Sequence, residues 1–519
     1  MNSSAFSSPD LAIPAEFQAR FDAQRAAFLK APEPSHAERL ADLKALSRLL
    51  KDNQAAIIAA IDGDYGGRSL FETMFGEIFG SLDGLRDAQR RLARWMRPRR
   101  RSVDAILYPG ARNRLIPQPL GVVGGHRAVE LSDLPELRAA HRRVGRGQPR
   151  YGQDVGEFKS PGPAPRRGFA EVPARGQASL LCRRRRRRPA FSSLPFDHLF
   201  FTGSGTTGRA VMANAARNLT PVTLELGGKS PAIVAPGFPI KTAAERILWA
   251  KTFNAGQTCV AVDYAFLPRG SEDEFVGHCR RLFATRYPDI NGPDFTSIID
   301  RRSYDRLTAA LEHARLKGAT LVNLAEGQTP DKSKRRLPPH IILNVTPEME
   351  LMRREIFGPI LPILTYGEPQ EAVDAINARD RPLALYPFVR DAATRRFLIA
   401  HTRSGGVSVN EGILHVVQHD LPFGGVGPSG MGHYHGKGKP SRSSGRCSRR
   451  ASCRWCRPLC SPHTRLFAPN GRPHGVDEGL TVLAGSDGGS DQACRDHAQE
   501  NLANLRQLLQ PRSQPRDRA

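Results

Sequence analysis

Residues 194–218, LPFDHLFFTGSGTTGRAVMANAARN, read as three successive pieces. LPFDHLFF has the apolar and aromatic density of a strand. GSGTTG (203–208) is a tight turn bracketed by Gly203 and Gly208, and RAVMANAARN is an amphipathic helix. Then PVTLELGGKSPAIVAP (221–236) predicts two short strands separated by glycines. Helices and strands alternate from there to about residue 436, the pattern of an α/β protein with a mostly parallel sheet. Glycines at a helix N-terminus let backbone amides approach a pyrophosphate. Taken alone, the same turn equally fits an ordinary strand-to-helix connection.

Upstream, residues 15–95 read as amphipathic helices packing on a larger domain. In ERLADLKALSRLLKDNQAAIIAAI (38–61), Leu40, Leu43, Leu46, Leu50, Ile57 and Ile61 recur at three- and four-residue steps. Pro98 ends the helical stretch, and NRLIPQPLGVVGG (113–125) begins like a strand approaching a turn. Residues 125–190 then hold no sustained period of 2 or of 3.6, and they include six consecutive arginines, Arg183 to Arg188. Beyond Gly436 the chain turns rich in Arg, Ser, Pro and Cys, with one short helical pattern at QENLANLRQLL (499–509).

The net charge of +25 would mark a nucleic-acid binder if it were spread over the chain. It is not spread. Residues 125–190 carry 16 Lys and Arg against 6 Asp and Glu, and residues 437–519 carry 15 against 7. Six of the eight cysteines lie in the same two blocks, leaving Cys259 and Cys279 outside them. Cys447, Cys453, Cys456 and Cys460 contain one C-x-x-C but match no closed four-cysteine pattern, so no metal is expected. A length of 519 residues allows two or three domains. No run of about 18 apolar residues or basic-then-apolar leader is present, which predicts a soluble, cytoplasmic protein.

Cys259 lies in FNAGQTC, between a helical segment (AAERILWAKTF) and a strand (VAVDYAFL). A lone cysteine there is most often packing. Glu225, in ELGGKSP, is either a general base or a strand-end charge. The two together decide the matter, because FTGSGTTGRAV, VTLELGGKSPAIV, FNAGQTCVAVDYAF, REIFGPILPILTY and SGGVSVNEGILHVVQHDLPFGGVGPSGMGHYHG resemble the NAD(P)-dependent aldehyde dehydrogenase superfamily. They occur in family order over residues 15–124 and 190–436. LPFDHLFFTGS and HVVQHDLPFGGVG look most like the branch acting on aromatic and fatty aldehydes, nearest to coniferyl aldehyde dehydrogenases.

The resemblance implies an aldehyde dehydrogenase-like α/β fold, with a Rossmann-type cofactor domain and an α/β catalytic domain. It implies NAD as cofactor, with NADP possible, and a small aldehyde as substrate. Cys259 matches the nucleophile that forms a thiohemiacetal and then a thioester. Glu225 matches the base that activates water for hydrolysis. Gly203, Ser204 and Gly208 match the pyrophosphate turn, although Gly205 stands where a threonine is usual. Glu355 and Phe357 match residues that hold the nicotinamide ribose and ring, and Phe423 a loop lining the active site. A homodimer is also implied, through a small hairpin whose closing C-terminal strand would fall in the altered tail.

Two expected motifs are missing: an asparagine in Pro-Trp-Asn just after GVVG, and a lysine some twenty residues further on. The genetic code accounts for both. Back-translated and read one base later, GHRAVELSDL (125–134) can give VIAPWNYPTY, and GQPRYGQDVG (147–156) can give GNRVMVKMSE. The asparagine falls over Glu130 and the lysine over Gln153. Residues 125–189 therefore read as an out-of-frame translation, and 437–519 as an out-of-frame, disordered tail. The remaining division is helices and the start of the cofactor domain (1–124), the rest of that domain (190–224), the catalytic domain (225–405) and an active-site closing segment (406–436). Two rival readings are a non-functional remnant and a basic nucleic-acid-binding protein. Resequencing the gene across codons 120–192 and 430–445 is expected to reveal a frame carrying both motifs; a gene that reads as printed across both stretches would sink the frame reading.

Overall fold

The computed structural model describes residues 13–127, 150–152, 188–434 and 483–485. Glu130, Gln153, Cys182, Arg183 to Arg187 and the cysteines beyond Gly436 lie outside the described residues.

Two sheets organise the chain. The five-stranded sheet runs in the order Gly430–Met431, Val222–Glu225, His198–Thr202, Val123–Arg127, Arg150–Gly152. Its members pair in parallel except Gly430–Met431, which joins antiparallel with Gly430 opposite Glu225. This is the predicted nucleotide-binding type of sheet. On its core face, Leu199, Phe201 and Leu224 pack with Phe17 and Phe21 of the helix Ala15–Lys30 and with Val211 and Ala215 of the helix Gly205–Ala216.

The eight-stranded sheet runs Leu483–Gly485, Gly406–Val409, Ala384–Phe388, Pro231–Val234, Tyr264–Pro268, Ile360–Tyr366, His340–Leu343, Thr320–Asn323. Only its last pair is antiparallel. Successive residues along its central strands enter opposite cores. Ala232, Val234, Ala265 and Leu267 face one, while Ile233, Ala235, Tyr264 and Phe266 face the other. A sheet buried on both faces accounts for the near-continuous apolar runs in its strands.

The expected pair of strands in PVTLELGGKSPAIVAP is present, but the two belong to different sheets. The glycine link between them is the crossing point from one sheet to the other. The turn at GSGTTG is shorter than its sequence reads. Ser204 already caps a helix that starts at Gly205, its Oγ accepting from the Thr207 amide at 3.4 Å. Threonines and glycines there leave the first turn without acidic side chains. The helical stretch 38–61 is likewise two helices, His36–Asp52 and Gln54–Tyr65. Asn53 marks the break with a non-helical backbone (φ −108°, ψ 16°), its main-chain and side-chain amides both donating to the Leu49 carbonyl, at 3.2 and 2.9 Å. Leu43, Leu46, Leu50, Ile57 and Ile61 are buried as their spacing predicts, against Leu85 and Leu92 of the helix Gly80–Met96. Arg97, forced extended by Pro98, ends that helix.

Leu248 sits fully inside the larger core, on the helix that leads to Cys259. Leu248→Ala is expected to lower unfolding free energy by about 2–5 kcal/mol in urea titrations followed by circular dichroism. A loss well under 1 kcal/mol would show that this helix is not packed as described.

Candidate active site

Glu225 ends the strand Val222–Glu225 and is buried, with no hydrogen-bond partner for either carboxylate oxygen among the described residues. Burial raises its pKa well above the ordinary carboxylate value. A buried carboxylate without a fixed partner is costly to keep as an anion, and it is free to take a proton.

Cys259 follows an unusual turn. The helix Ile240–Thr252 passes into a 3-10 turn at Phe253–Gly256, where Asn254, Ala255 and Gly256 all have positive φ (53°, 51° and 72°). Glycine is needed at 256, because a Cβ there would collide with the Gly358 carbonyl and approach the Lys251 carbonyl to 2.9 Å. The half-buried Cys259 packs against the larger core. Its thiol is pushed up to about 12, first by desolvation and then by the negative charges of Glu355 and Glu225. Both carboxylates therefore bear on the sulfur. Tyr386 adjoins the same place, donating its hydroxyl to the Val260 carbonyl at 2.5 Å.

Glu355 and Phe357 lie on the segment before the strand Ile360–Tyr366, and Phe357 has a left-handed backbone (φ 49°). Strain of this kind gathers at ligand sites. The segment is held from two sides. Lys229, from ELGGKSP, donates to the Leu351 carbonyl at 2.6 Å and the Arg354 carbonyl at 3.2 Å. It also pairs with the Asp263 carboxylate, whose other oxygen accepts from the Ile356 amide at 2.9 Å. The amides and carbonyls on either side of Glu355 are thus pinned. A Cβ on Gly227 would collide with the Glu355 carboxylate, so only glycine admits it there.

These surroundings fit a dinucleotide. Ser204 is exposed at the helix N-terminus, where an anion is favoured. Gly208 lets the helix approach Leu226, which a Cβ would meet at 2.6 Å. The residues matched to pyrophosphate, ribose and nicotinamide thus come from both sheets' connections. Phe423 is buried beside His415 (5.7 Å between ring centroids) and Tyr434 (5.4 Å), within the core that Cys259 packs against. Lys229, Asp263 and Tyr386 were not singled out from the sequence. Lys229 alone had a signal, its place inside ELGGKSP. Lys251, buried on the helix before Cys259 with its ammonium unpartnered among the described residues, is lowered to about 8 by desolvation.

Known proteins resemble this chain in sequence and fold. Residues 190–441 match the model of the aldehyde dehydrogenase family. A probable coniferyl aldehyde dehydrogenase of Pseudomonas aeruginosa is 45% identical over 433 residues, covering 81% of this chain and 88% of that one. The coniferyl aldehyde dehydrogenase of Pseudomonas sp. strain HR199 is 40% identical over 415 residues, covering 77% and 83%. Among solved structures, Staphylococcus aureus AldH in a substrate-bound state matches with a TM-score of 0.74 at 31% identity, covering 81% of this chain and 90% of that one. A Mycobacterium tuberculosis aldehyde dehydrogenase complexed with NAD+ matches with a TM-score of 0.70 at 25% identity, covering 82% and 87%. The chain belongs to the aldehyde dehydrogenase family, NAD(P)-dependent oxidoreductases that convert an aldehyde to its carboxylic acid.

Proposed function

We propose that Cys259 is the nucleophile and Glu225 the general base of this oxidation, on an aromatic aldehyde of the coniferyl type. The carrying observation is the pairing of a half-buried thiol with two carboxylates that bear on it, one of them buried with no fixed partner among the described residues. The Cys259 sulfur attacks the carbonyl carbon, and the carbonyl oxygen takes the negative charge of a thiohemiacetal. NAD(P), when bound, supplies the hydride acceptor for its collapse to the thioester. Gly203, Ser204 and Gly208 would hold the pyrophosphate, and Glu355 and Phe357 the ribose and ring. Glu225 then takes a proton from water, whose oxygen attacks the thioester carbonyl; the C–S bond breaks and the acid leaves.

Two observations support an aromatic substrate: the names of the relatives, and a ladder of rings leading inward. Phe71, Phe75 and Phe79 line one side of the helical segment, the first and last exposed, and Phe75 meets Phe253 at 6.1 Å. Phe253 touches Trp249 at 5.7 Å and lies six residues before Cys259. The hairpin of Arg99–Arg101 with Asn113–Leu115 leaves Ile106, Leu107, Tyr108 and Ile116 exposed, in keeping with a homodimer. Among the described residues no helix is long and apolar enough to cross a membrane. A dehydrogenase draws on the soluble NAD(P) pool, which supports a cytoplasmic location. In this reading residues 225–405 form the catalytic domain and 406–436 close the site.

The frame reading bears on turnover. The printed chain lacks the asparagine donor to the oxyanion, a loss worth roughly 10²–10³ in rate, and the lysine contact to the adenosine ribose. The 519-residue chain is expected to form NADH at least about a hundredfold more slowly than a frame-restored version. In that version, Cys259→Ala should abolish turnover, and Glu225→Gln should leave a burst of NADH followed by slow release. Undiminished oxidation by Cys259→Ala would overturn the assignment.

The raised Glu225 pKa sets a pH dependence. Below its pKa the carboxyl is protonated and cannot act as a base, so hydrolysis should rise with pH through a midpoint above the ordinary carboxylate range. Glu225→Gln should lose that limb in stopped-flow profiles. A limb retained in the variant assigns the base elsewhere.

Substrate choice is checked by kcat/KM, which should favour coniferyl aldehyde over acetaldehyde in the frame-restored enzyme. A clear preference for acetaldehyde removes the aromatic reading.

A further inference from the structure

A chain segment outside long helices and strands must have its main-chain groups satisfied by something else. Leu351 to Phe357 is such a segment: the helix Glu350–Arg353 has 4 residues, and the next strand starts at Ile360. Side chains from four other places supply bonds to it. Lys229 donates to the Leu351 and Arg354 carbonyls at 2.6 and 3.2 Å. Arg379 donates to the Met352 carbonyl at 2.8 Å, and Arg306 to the Ile356 carbonyl at 2.7 Å. Asp263 accepts from the Ile356 amide at 2.9 Å.

Of these four, Lys229 and Asp263 bracket Glu355 directly, at the carbonyl before it and the amide after it. An ammonium has three N–H donors, and those of Lys229 go to the Asp263 carboxylate and the two carbonyls. Asp263 divides its two oxygens between Lys229 and the Ile356 amide. The two side chains are only 11% and 3% exposed, so water competes little for these bonds. The Tyr264 ring, next to Asp263 in the chain, lies 5.5 Å from the Lys229 Nζ and 5.8 Å from the Arg379 Cζ, within reach of both cations. Two residues before Lys229, Gly227 leaves the space that the Glu355 carboxylate fills. One short link thus bears on both the main chain and the side chain of Glu355.

We propose that Lys229 and Asp263 are positioning residues for the dinucleotide: by fixing the main chain on both sides of Glu355, they present the Glu355 carboxylate and the Phe357 ring in one place. The proposal rests on the reading of Glu355 and Phe357 as the residues that hold the ribose and ring, and adds to it the pair that sets them. Lys229→Met alone would strand the buried Asp263 charge and weaken the whole fold. Replacing both partners by apolar side chains of similar volume is often neutral for stability. The double substitution Lys229→Met/Asp263→Leu therefore removes the bonds to the segment without burying a lone charge.

The test uses the 519-residue chain, its double variant and NADH, with amide hydrogen exchange read residue by residue by mass spectrometry. In Lys229→Met/Asp263→Leu the Ile356 amide should exchange about tenfold faster or more, while amides of the helix Ile240–Thr252 stay within about twofold of the unmodified protein. NADH affinity, followed by the fluorescence gain of the bound nicotinamide, should fall about tenfold at an unchanged melting temperature. Unchanged exchange at Ile356 overturns the hold. Acceleration shared equally by the helix overturns the positioning role, because the pair then only stabilises the fold. Acceleration confined to the segment with full NADH affinity overturns it as well. Should the double variant fail to fold, the unmodified protein decides: saturating NADH should slow Ile356 exchange about tenfold, and bound NADH that leaves it unchanged overturns the proposal. An unmodified chain that binds no NADH overturns the reading of Glu355 and Phe357 themselves, whatever the exchange shows.

Discussion

One buried ion pair gathers most of the site. Lys229 lies on the link between the two sheets, and Asp263 stands just ahead of the strand that follows Cys259. Together they grip the Leu351 and Arg354 carbonyls and the Ile356 amide, so three stretches of chain meet at two side chains. Burying such a pair is worthwhile only when its remaining hydrogen-bonding capacity is also filled. Here main-chain groups fill it, and those groups belong to the segment that carries Glu355 and Phe357. Losing either partner would leave the other charge buried and that segment unanchored.

Around this anchor the electrostatics run against an ionised thiol. Desolvation and two carboxylates hold the Cys259 thiol up, and desolvation also keeps Glu225 protonated well above the usual range. Each group's preference for its neutral form follows from the same burial.

The backbone around Cys259 is held by polar groups drawn from remote parts of the chain. Tyr65 comes from the N-terminal helices, Ser297 and Ile299 from a segment later in the chain. The N-terminal layer, which on its helical periodicity is only a packing element, therefore reaches the turn before Cys259. Its apolar stripe buries Leu43, Leu46, Leu50, Ile57 and Ile61, while the Tyr65 hydroxyl forms the link.

Much of the fold could be read from periodicity. The alternation of strands and helices after residue 190, the strand-to-turn at 198–208 and the helical stripe at 38–61 all follow from side-chain spacing, which is a local property. Cys259 and Glu225 were legible because glycine-rich, family-like segments surround them. The sequence by itself thus determined the α/β class and the family, and it singled out Cys259 and Glu225 for the roles proposed above. Tertiary structure alone decided that the two strands of PVTLELGGKSPAIVAP enter different sheets, since each is short, apolar and compatible with either. It alone also showed the partners of Lys229 and Glu72, which lie 34 and 224 residues away in the chain. Hydrogen bonds between distant residues leave no period in a sequence; they exist only once packing has brought donor and acceptor together and excluded the water that would otherwise satisfy them.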